Sequence, residues 1–369
     1  MGLPLGPPLG RRQRIIVDGH IDTPQRMLDL KSDISTRLPD GHVDIPRMKE
    51  GGLTAAFFSI WVDARYGPGT AFRRAMALID AVQALVDARP EVELATDADD
   101  VREAAARGHV AALMGVEGGH AIENSLEKLA ALYQRGARYL TLTWNNGNDW
   151  AGSSTDPRNN GGLREFGRRV VRRMNELGLL IDVSHVSDAT FWDVLATAAE
   201  PVLASHSSCR AIAHHPRNLS DDQLRAIADS GGVVGINFYP VFLDDAFGQQ
   251  FGDLRRRLQP QTDLIRARYA GRPAESAFEE DRLVGRHAAT LDVPPIERLV
   301  DHIDHAVQVM GIDHVGLGSD FDGISVLPSP MKDATSLPLL TAALEDRGYT
   351  DSGLGKILGE NFLRLLTAR

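Results

Sequence analysis

Eight apolar, β-branched runs that alternate with amphipathic helical stretches predict an α/β chain folded as a TIM-like (β/α)8 barrel. Three observations carry that prediction. Strand-helix alternation argues for a parallel sheet. The runs are almost continuously apolar, as strands covered on both faces are. No glycine-rich phosphate loop follows the first run, which disfavours an open, doubly wound sheet.

Taken in order, the predicted strands are RIIVDGH (14–20), LTAAFFSIWV (53–62), HVAALMGVE (109–117) and ARYLTLTW (137–144). LLIDVSH (179–185), PVLASH (201–206), GVVGINFY (232–239) and DHVGLGSD (313–320) complete the set. Between them lie AFRRAMALIDAVQALVDA, SLEKLAALYQRG, FGRRVVRRMNELG, DATFWDVLATAA, DDQLRAIADSG and PIERLVDHIDHAVQVMG, with apolar residues at helical spacings of three and four. Several of these end on a glycine before the next strand: Gly136, Gly178, Gly231 and Gly311. Residues 240–290, between strands seven and eight, are charged and helix-prone. They read as an insertion on the barrel rim, a lid or a subunit contact. Residues 1–13 are rich in proline and glycine and read as a flexible lead-in to one domain spanning 14–369.

The 369 residues are 43% apolar and 24% charged, an ordinary globular composition, with a formal net charge of −10. No basic run stands out, which argues against a nucleic-acid partner. No apolar run approaches the roughly 20 residues of a membrane span, and the N-terminus lacks a signal peptide's charged start and long apolar middle. The expected location is the cytoplasm, with no membrane partner. The single cysteine, Cys209, excludes an internal disulfide and any structural zinc site built from two or more thiolates. A nucleophilic role for Cys209 stays open beside a structural one.

The polar residues fall where such a barrel would use them, at the C-terminal strand ends. The first strand ends in His20 and Asp22, two residues apart and able to share one side of a strand. Taken alone, that pair suits a metal ion, but a buried histidine beside an N-capping Asp is the commoner case. Glu117 ends the third strand, His185 the fifth, His206 the sixth and Asp320 the eighth. Core packing does not explain six such groups at one mouth, because buried carboxylates and imidazoles without partners are costly. They exceed what one tetrahedral zinc requires and suit two adjacent divalent metals.

The segments DGHIDTP, GVEGGHAIENSLEKLAALYQRGARYLTLT, IDVSHVSD, PVLASHSSCRAIAHHPRNLSDDQLRAIADSGGVVGINF and HVGLGSDFDG resemble the renal (membrane) dipeptidase family of the amidohydrolase superfamily. The resemblance runs from about residue 14 to 365. It implies a barrel holding two Zn²⁺ ions, other divalent metals being alternatives. His20 and Asp22 would hold one zinc, Glu117 would bridge, and His185 and His206 would hold the second. Asp320 would shuttle the proton, and Arg217 would grip the substrate's C-terminal carboxylate, a task suited to a guanidinium fork. The implied reaction is hydrolysis of a dipeptide amide by a metal-bridging hydroxide, D-residues being accepted at the C-terminal position. The implied assembly is a homodimer. A different small amide, such as an N-acyl D-amino acid, and a non-catalytic metal-binding barrel remain as alternatives.

One departure bears on the activity. Many relatives carry a histidine after strand four that stabilises the oxyanion; LTLTWNNGNDW places Trp144 there, with Asn145 and Asn146 following. An indole N–H donates one hydrogen bond but cannot take a charge. Trp144 and Asn145 are therefore expected to line the substrate pocket, Trp144 as a donor or as wall. Among the other histidines, His302 and His305 are expected on a solvated helix face, His214 and His215 lie in the loop before Arg217, and His120 follows the two glycines after Glu117, a place behind Glu117 being its less favoured reading. Asp322 is expected to be structural, because the glutamate that a calcium loop needs is missing.

Overall fold

The computed structural model describes residues 14–288 and 290–367; the expected lead-in, 1–13, lies outside them. Among the described residues, nine parallel strands form: β1 (Ile16–Ile21), β2 (Leu53–Trp61), β3 (Val92–Leu94), β4 (Val110–Glu117), β5 (Ala137–Thr141), β6 (Leu180–Asp182), β7 (Val202–Ser207), β8 (Val233–Asn237) and β9 (Val315–Gly318). Eight of them close a barrel in the order β1-β2-β4-β5-β6-β7-β8-β9, and β9 pairs back with β1. This is the TIM-like fold that the alternation predicts.

The ninth strand, β3, was not expected. It pairs only with β4 and lies outside the closed ring. Its sequence, VEL, is too short to show a period. Several strands are also shorter than their apolar runs. β6 stops at Asp182 and β9 at Gly318, because the chain turns sharply after each: His185 (φ 68°) and Asp320 (φ 63°) occupy the left-handed region.

Strand residues alternate between two cores. Ala56, Phe58, Ile60, Met114, Val116, Ile181, Ala204 and Ile236 face the surrounding helices. Val17, Ala55, Phe57, Leu113, Tyr139, Leu180, Leu203 and Val233 fill the barrel, and Phe362 from the C-terminal helix Asn361–Thr367 joins them. Phe362 packs against Phe57 with ring centroids 6.2 Å apart. Along the barrel interior, the same alternation leads from Leu113 to Glu117, from Leu180 to Asp182 and from Leu203 to Ser205. Polar groups thus begin where the apolar filling ends.

The insertion is helical. Pro240–Leu243, Asp245–Arg268 and Pro273–Ala288 follow β8, and the two long helices fold back on each other. Phe247, Phe251, Leu254, Leu258, Val284 and Ala288 give this hairpin a small core of its own. No helix among the described residues is long and apolar enough to cross a membrane.

Candidate active site

The residues expected to hold metal, shuttle the proton or bind substrate all reach the same barrel mouth. A cavity of about 590 Å³ opens there, and Asp22, Glu117, Trp144, Asn145, His185, His206, Arg217 and Asp320 line it. His20 lies beneath, fully buried, with Nε2 3.4 Å from both Asp22 Oδ2 and Glu117 Oε2. The hairpin of the insertion supplies part of the cavity wall through Phe251, Arg255, Phe278, Asp281 and Val284. Gly323 comes so close that a Cβ would meet Asp22 Oδ2 at 2.1 Å and Asp320 Oδ1 at 2.6 Å, so only glycine lets that loop lie over both carboxylates.

Glu117 is central. Its Oε2 faces His20, while its Oε1 lies 3.0 Å from His185 Nε2 and 3.6 Å from His206 Nε2. Burial opposes its charge, yet His20 and His185 hold it well below the usual carboxylate range. Burial, aided by the Arg217 guanidinium, pushes His185 down to about 3. Burial and the neighbouring His20 take His206 well below its ordinary value. Burial also pushes Asp22 up to about 7 against the pull of His20, with the Glu117 and Asp320 charges adding to the rise. Burial opposes a charge on His20, yet Tyr139, Glu117 and Asp22 raise it well above its ordinary value. The mouth thus gathers the neutral imidazoles of His185 and His206 and crowded carboxylates around His20. His20 Nε2 is buried without a hydrogen-bond partner.

That donor set fits divalent cations. Ligand atoms of His20, Glu117 and His206 lie within 4.8 Å of one another, as do those of His20, Asp22 and Asp320. A shared carboxylate between two imidazole groups is the arrangement that a metal pair uses.

The comparisons with known proteins agree with this geometry. Residues 11–368 match the family described as membrane dipeptidase, peptidase family M19. The chain belongs to the membrane dipeptidase family. It is thereby a metal-dependent hydrolase. Among solved structures it is similar to the dipeptidase AC, a metallopeptidase of family M19, at 29% identity over 96% of this chain and 98% of that one, with a TM-score of 0.78. A metallopeptidase from Rhodobacter sphaeroides, bound to a phosphinate mimic of the dipeptide L-Ala-D-Ala, also shares 29% identity, covering 96% and 99% of the two chains at a TM-score of 0.77. The probable dipeptidase PvdM from Pseudomonas aeruginosa shares 28% identity over 96% and 94%, at 0.81.

In this member of the dipeptidase family, residues that the sequence did not flag support the ones that it did. His20 Nδ1 lies 2.7 Å from Tyr139 Oη, which in turn donates to the Gly19 carbonyl at 3.3 Å. His206 Nδ1 lies 2.8 Å from Ser205 Oγ, and Ser205 donates to Asp182 at 2.7 Å. Asn237 Nδ2 donates to Asp320 Oδ2 at 3.0 Å. Asp182 and Asn237 end the observed β6 and β8, but both lie inside the longer predicted runs LLIDVSH and GVVGINFY, so the sequence does not single them out as strand-end residues.

Arg217 is buried and forms no ion pair among the described residues. Its Nη2 donates to the His206 carbonyl at 3.0 Å, and its Nε is buried without a partner. Trp144 packs edge-on against Trp61 with ring centroids 5.0 Å apart, so it forms cavity wall.

The remaining candidates fall away from the chemistry. Cys209 is fully buried, burial pushes its thiol up, and Sγ donates to the His302 carbonyl, which leaves no nucleophile. His302 is not on a solvated face. It is fully buried, and the reason is a bond at each nitrogen: Nδ1 accepts from Cys209 N and Nε2 meets the Leu243 carbonyl, both at 3.0 Å. His305 pairs with Asp221 at 2.8 Å, and exposed His214 pairs with Asp245. Asp322 is structural, accepting from Thr23 Oγ1 at 2.8 Å and from His42 N at 2.7 Å.

Proposed function

We propose that the chain is a zinc-dependent dipeptidase. His20, Asp22, Glu117, His185 and His206 would hold two Zn²⁺ ions, and dipeptides with an L- or D-residue at the C-terminal position would be the substrates. The observation that carries this reading is the placement of the two Glu117 oxygens, one toward His20 and the other toward His185 and His206. When bound, the metals supply a water of lowered pKa and polarise the scissile carbonyl.

The chain's own residues supply the rest. Arg217, a buried guanidinium with no carboxylate partner among the described residues, is matched to the substrate's free carboxylate. Asp320, oriented by Asn237, takes the proton of the attacking water and returns it to the leaving amine. Trp61, Trp144 and the hairpin aromatics Phe251 and Phe278 wall the substrate from bulk water. The D-residue is supported by the Rhodobacter sphaeroides neighbour and its L-Ala-D-Ala mimic.

The test is a panel of L,L and L,D dipeptides and N-acyl D-amino acids, with zinc content measured per chain. Cleavage of dipeptides by a zinc-loaded protein is expected. Cleavage of N-acyl D-amino acids alone would move the substrate class, and no cleavage by the loaded protein would overturn the enzyme reading.

A further inference from the structure

We infer that Asp182 acts through Ser205 as a positioning residue, fixing His206 in the tautomer that carries hydrogen on Nδ1 and leaves Nε2 bare for a metal. The inference rests on the reading of His206 as a metal ligand.

Asp182 is the last residue of β6, and Ser205 lies in the neighbouring β7; both are fully buried. Asp182 Oδ1 accepts from Ser184 N at 3.0 Å and from Ser205 N at 2.9 Å. Its Oδ2 accepts from Ser205 Oγ at 2.7 Å and from Thr141 Oγ1. Four donors fill the roughly four lone-pair positions of a carboxylate. A carboxylate has no proton to give back, so the Ser205 hydroxyl hydrogen is committed to it. Ser205 Oγ then offers His206 Nδ1, at 2.8 Å, only a lone pair. The imidazole must place its hydrogen there. The other partner open to the hydroxyl, Ser184 Oγ, is farther at 3.4 Å and already accepts from His206 N at 3.1 Å.

The three imidazoles of the mouth differ in this respect. Behind His20 the chain of bonds ends, through Tyr139, on the neutral Gly19 carbonyl. His185 Nδ1 is buried with no partner. Only His206 has a carboxylate at the end of its chain. A carboxylate behind a ligating imidazole fixes the ring and raises its basicity, and losing it typically costs ten- to a hundredfold in metal affinity.

The experiment follows zinc retained by the full-length, zinc-loaded protein against a graded series of chelator. It compares wild type with Ser205→Ala, Asp182→Asn and Thr141→Val. Ser205→Ala leaves both backbone bonds to Asp182 intact and removes only the link. It is expected to lose one zinc at roughly ten- to a hundredfold lower chelator, with an unchanged circular dichroism spectrum. Asp182→Asn is expected to lose at least as much, because an amide NH₂ facing Ser205 turns the hydroxyl around to donate to Nδ1, which leaves the hydrogen on Nε2. Thr141→Val removes another donor to the same oxygen without touching the link and is expected to hold zinc as wild type does. If Asp182→Asn does not fold, Ser205→Ala decides.

Wild-type retention in Ser205→Ala overturns the inference and leaves the metal centre standing. Equal loss in Thr141→Val also overturns it, because the network would then serve strand packing alone. A wild type that takes up no zinc overturns both this inference and the reading of His206 as a ligand.

Discussion

The Nε2 atoms of His185 and His206 face each other at 3.0 Å, and the Glu117 carboxylate closes the third side of the group. Burial keeps both rings neutral, so lone pairs and a negative charge converge on one spot. A divalent cation there converts that convergence into bonding. Chelation of the zinc-loaded protein is therefore expected to abolish dipeptide hydrolysis and to lower the melting temperature, with zinc restoring both. A ligand present at a hundred times its dissociation constant stabilises by about 2.7 kcal/mol. Full activity and an unchanged melt after chelation would sink the metal reading.

Asp320 sits in the left-handed region two residues beyond β9, with Oδ2 accepting from Asn237. That position reaches over the mouth beside Asp22, with one oxygen held. Asp320→Asn keeps the shape and removes the base, so kcat is expected to fall on the order of 10²- to 10⁴-fold. Zinc content should stay the same. A variant that lost its zinc in parallel with its rate would mark Asp320 as a ligand instead.

Arg217→Met removes the buried cation that the substrate carboxylate would meet. Hydrogen bonds to charged groups are worth about 1.5–3 kcal/mol, which corresponds to a rise of roughly 10- to 150-fold in KM for free dipeptides. C-terminally amidated dipeptides lack the carboxylate, so their kinetics should change little. Equal damage to both substrate sets would show that Arg217 serves the fold.

Most of the site was legible because its residues stand at strand ends, and in a parallel barrel those ends meet at one mouth. His20, Glu117 and His206 needed only the alternation to be placed. The supporting residues were harder. Tyr139 lies in the middle of an apolar run and belongs as much to the barrel core as to His20. Ser205 and Asp182 act through bonds between neighbouring strands, and a one-dimensional pattern does not show which atoms face across a register. His302 was misread because its helix is amphipathic and its polarity suggested the outer face. Two buried bonds, to Cys209 and Leu243, come from segments distant in sequence.

Trp144, at the position where the sequence resemblance implies a histidine, packs against Trp61 in the cavity wall. Removal of one oxyanion donor costs on the order of 100-fold in rate. Trp144→His is expected to raise kcat by up to that factor while KM worsens, because the smaller ring opens the wall. Steady-state kinetics on a single dipeptide separate the two effects. An unchanged kcat would show that another group already fills the donor's place.

His302 gives the last prediction, on stability rather than rate. Its neutral ring accepts from Cys209 N and donates to the Leu243 carbonyl, tying the loop after β7 and the start of the insertion to the helix Ile296–Met310. Burial pushes its pKa down to about 4. In the unfolded chain an ordinary histidine titrates near 6.5. Between those values the unfolded chain binds more protons than the folded one, so stability is complete above about 6.5 and is lost as the pH falls toward 4. A difference of about 2.5 units corresponds to about 3 kcal/mol at most. His302→Gln removes the titration together with the bonds. In fixed excess zinc, urea midpoints of wild type and variant are expected to lie well apart at pH 7.5 and to converge by pH 4.5. Other histidines titrate in both proteins and cancel in the comparison, so a gap that did not narrow would mean that His302 titrates no lower in the folded chain than in the unfolded one.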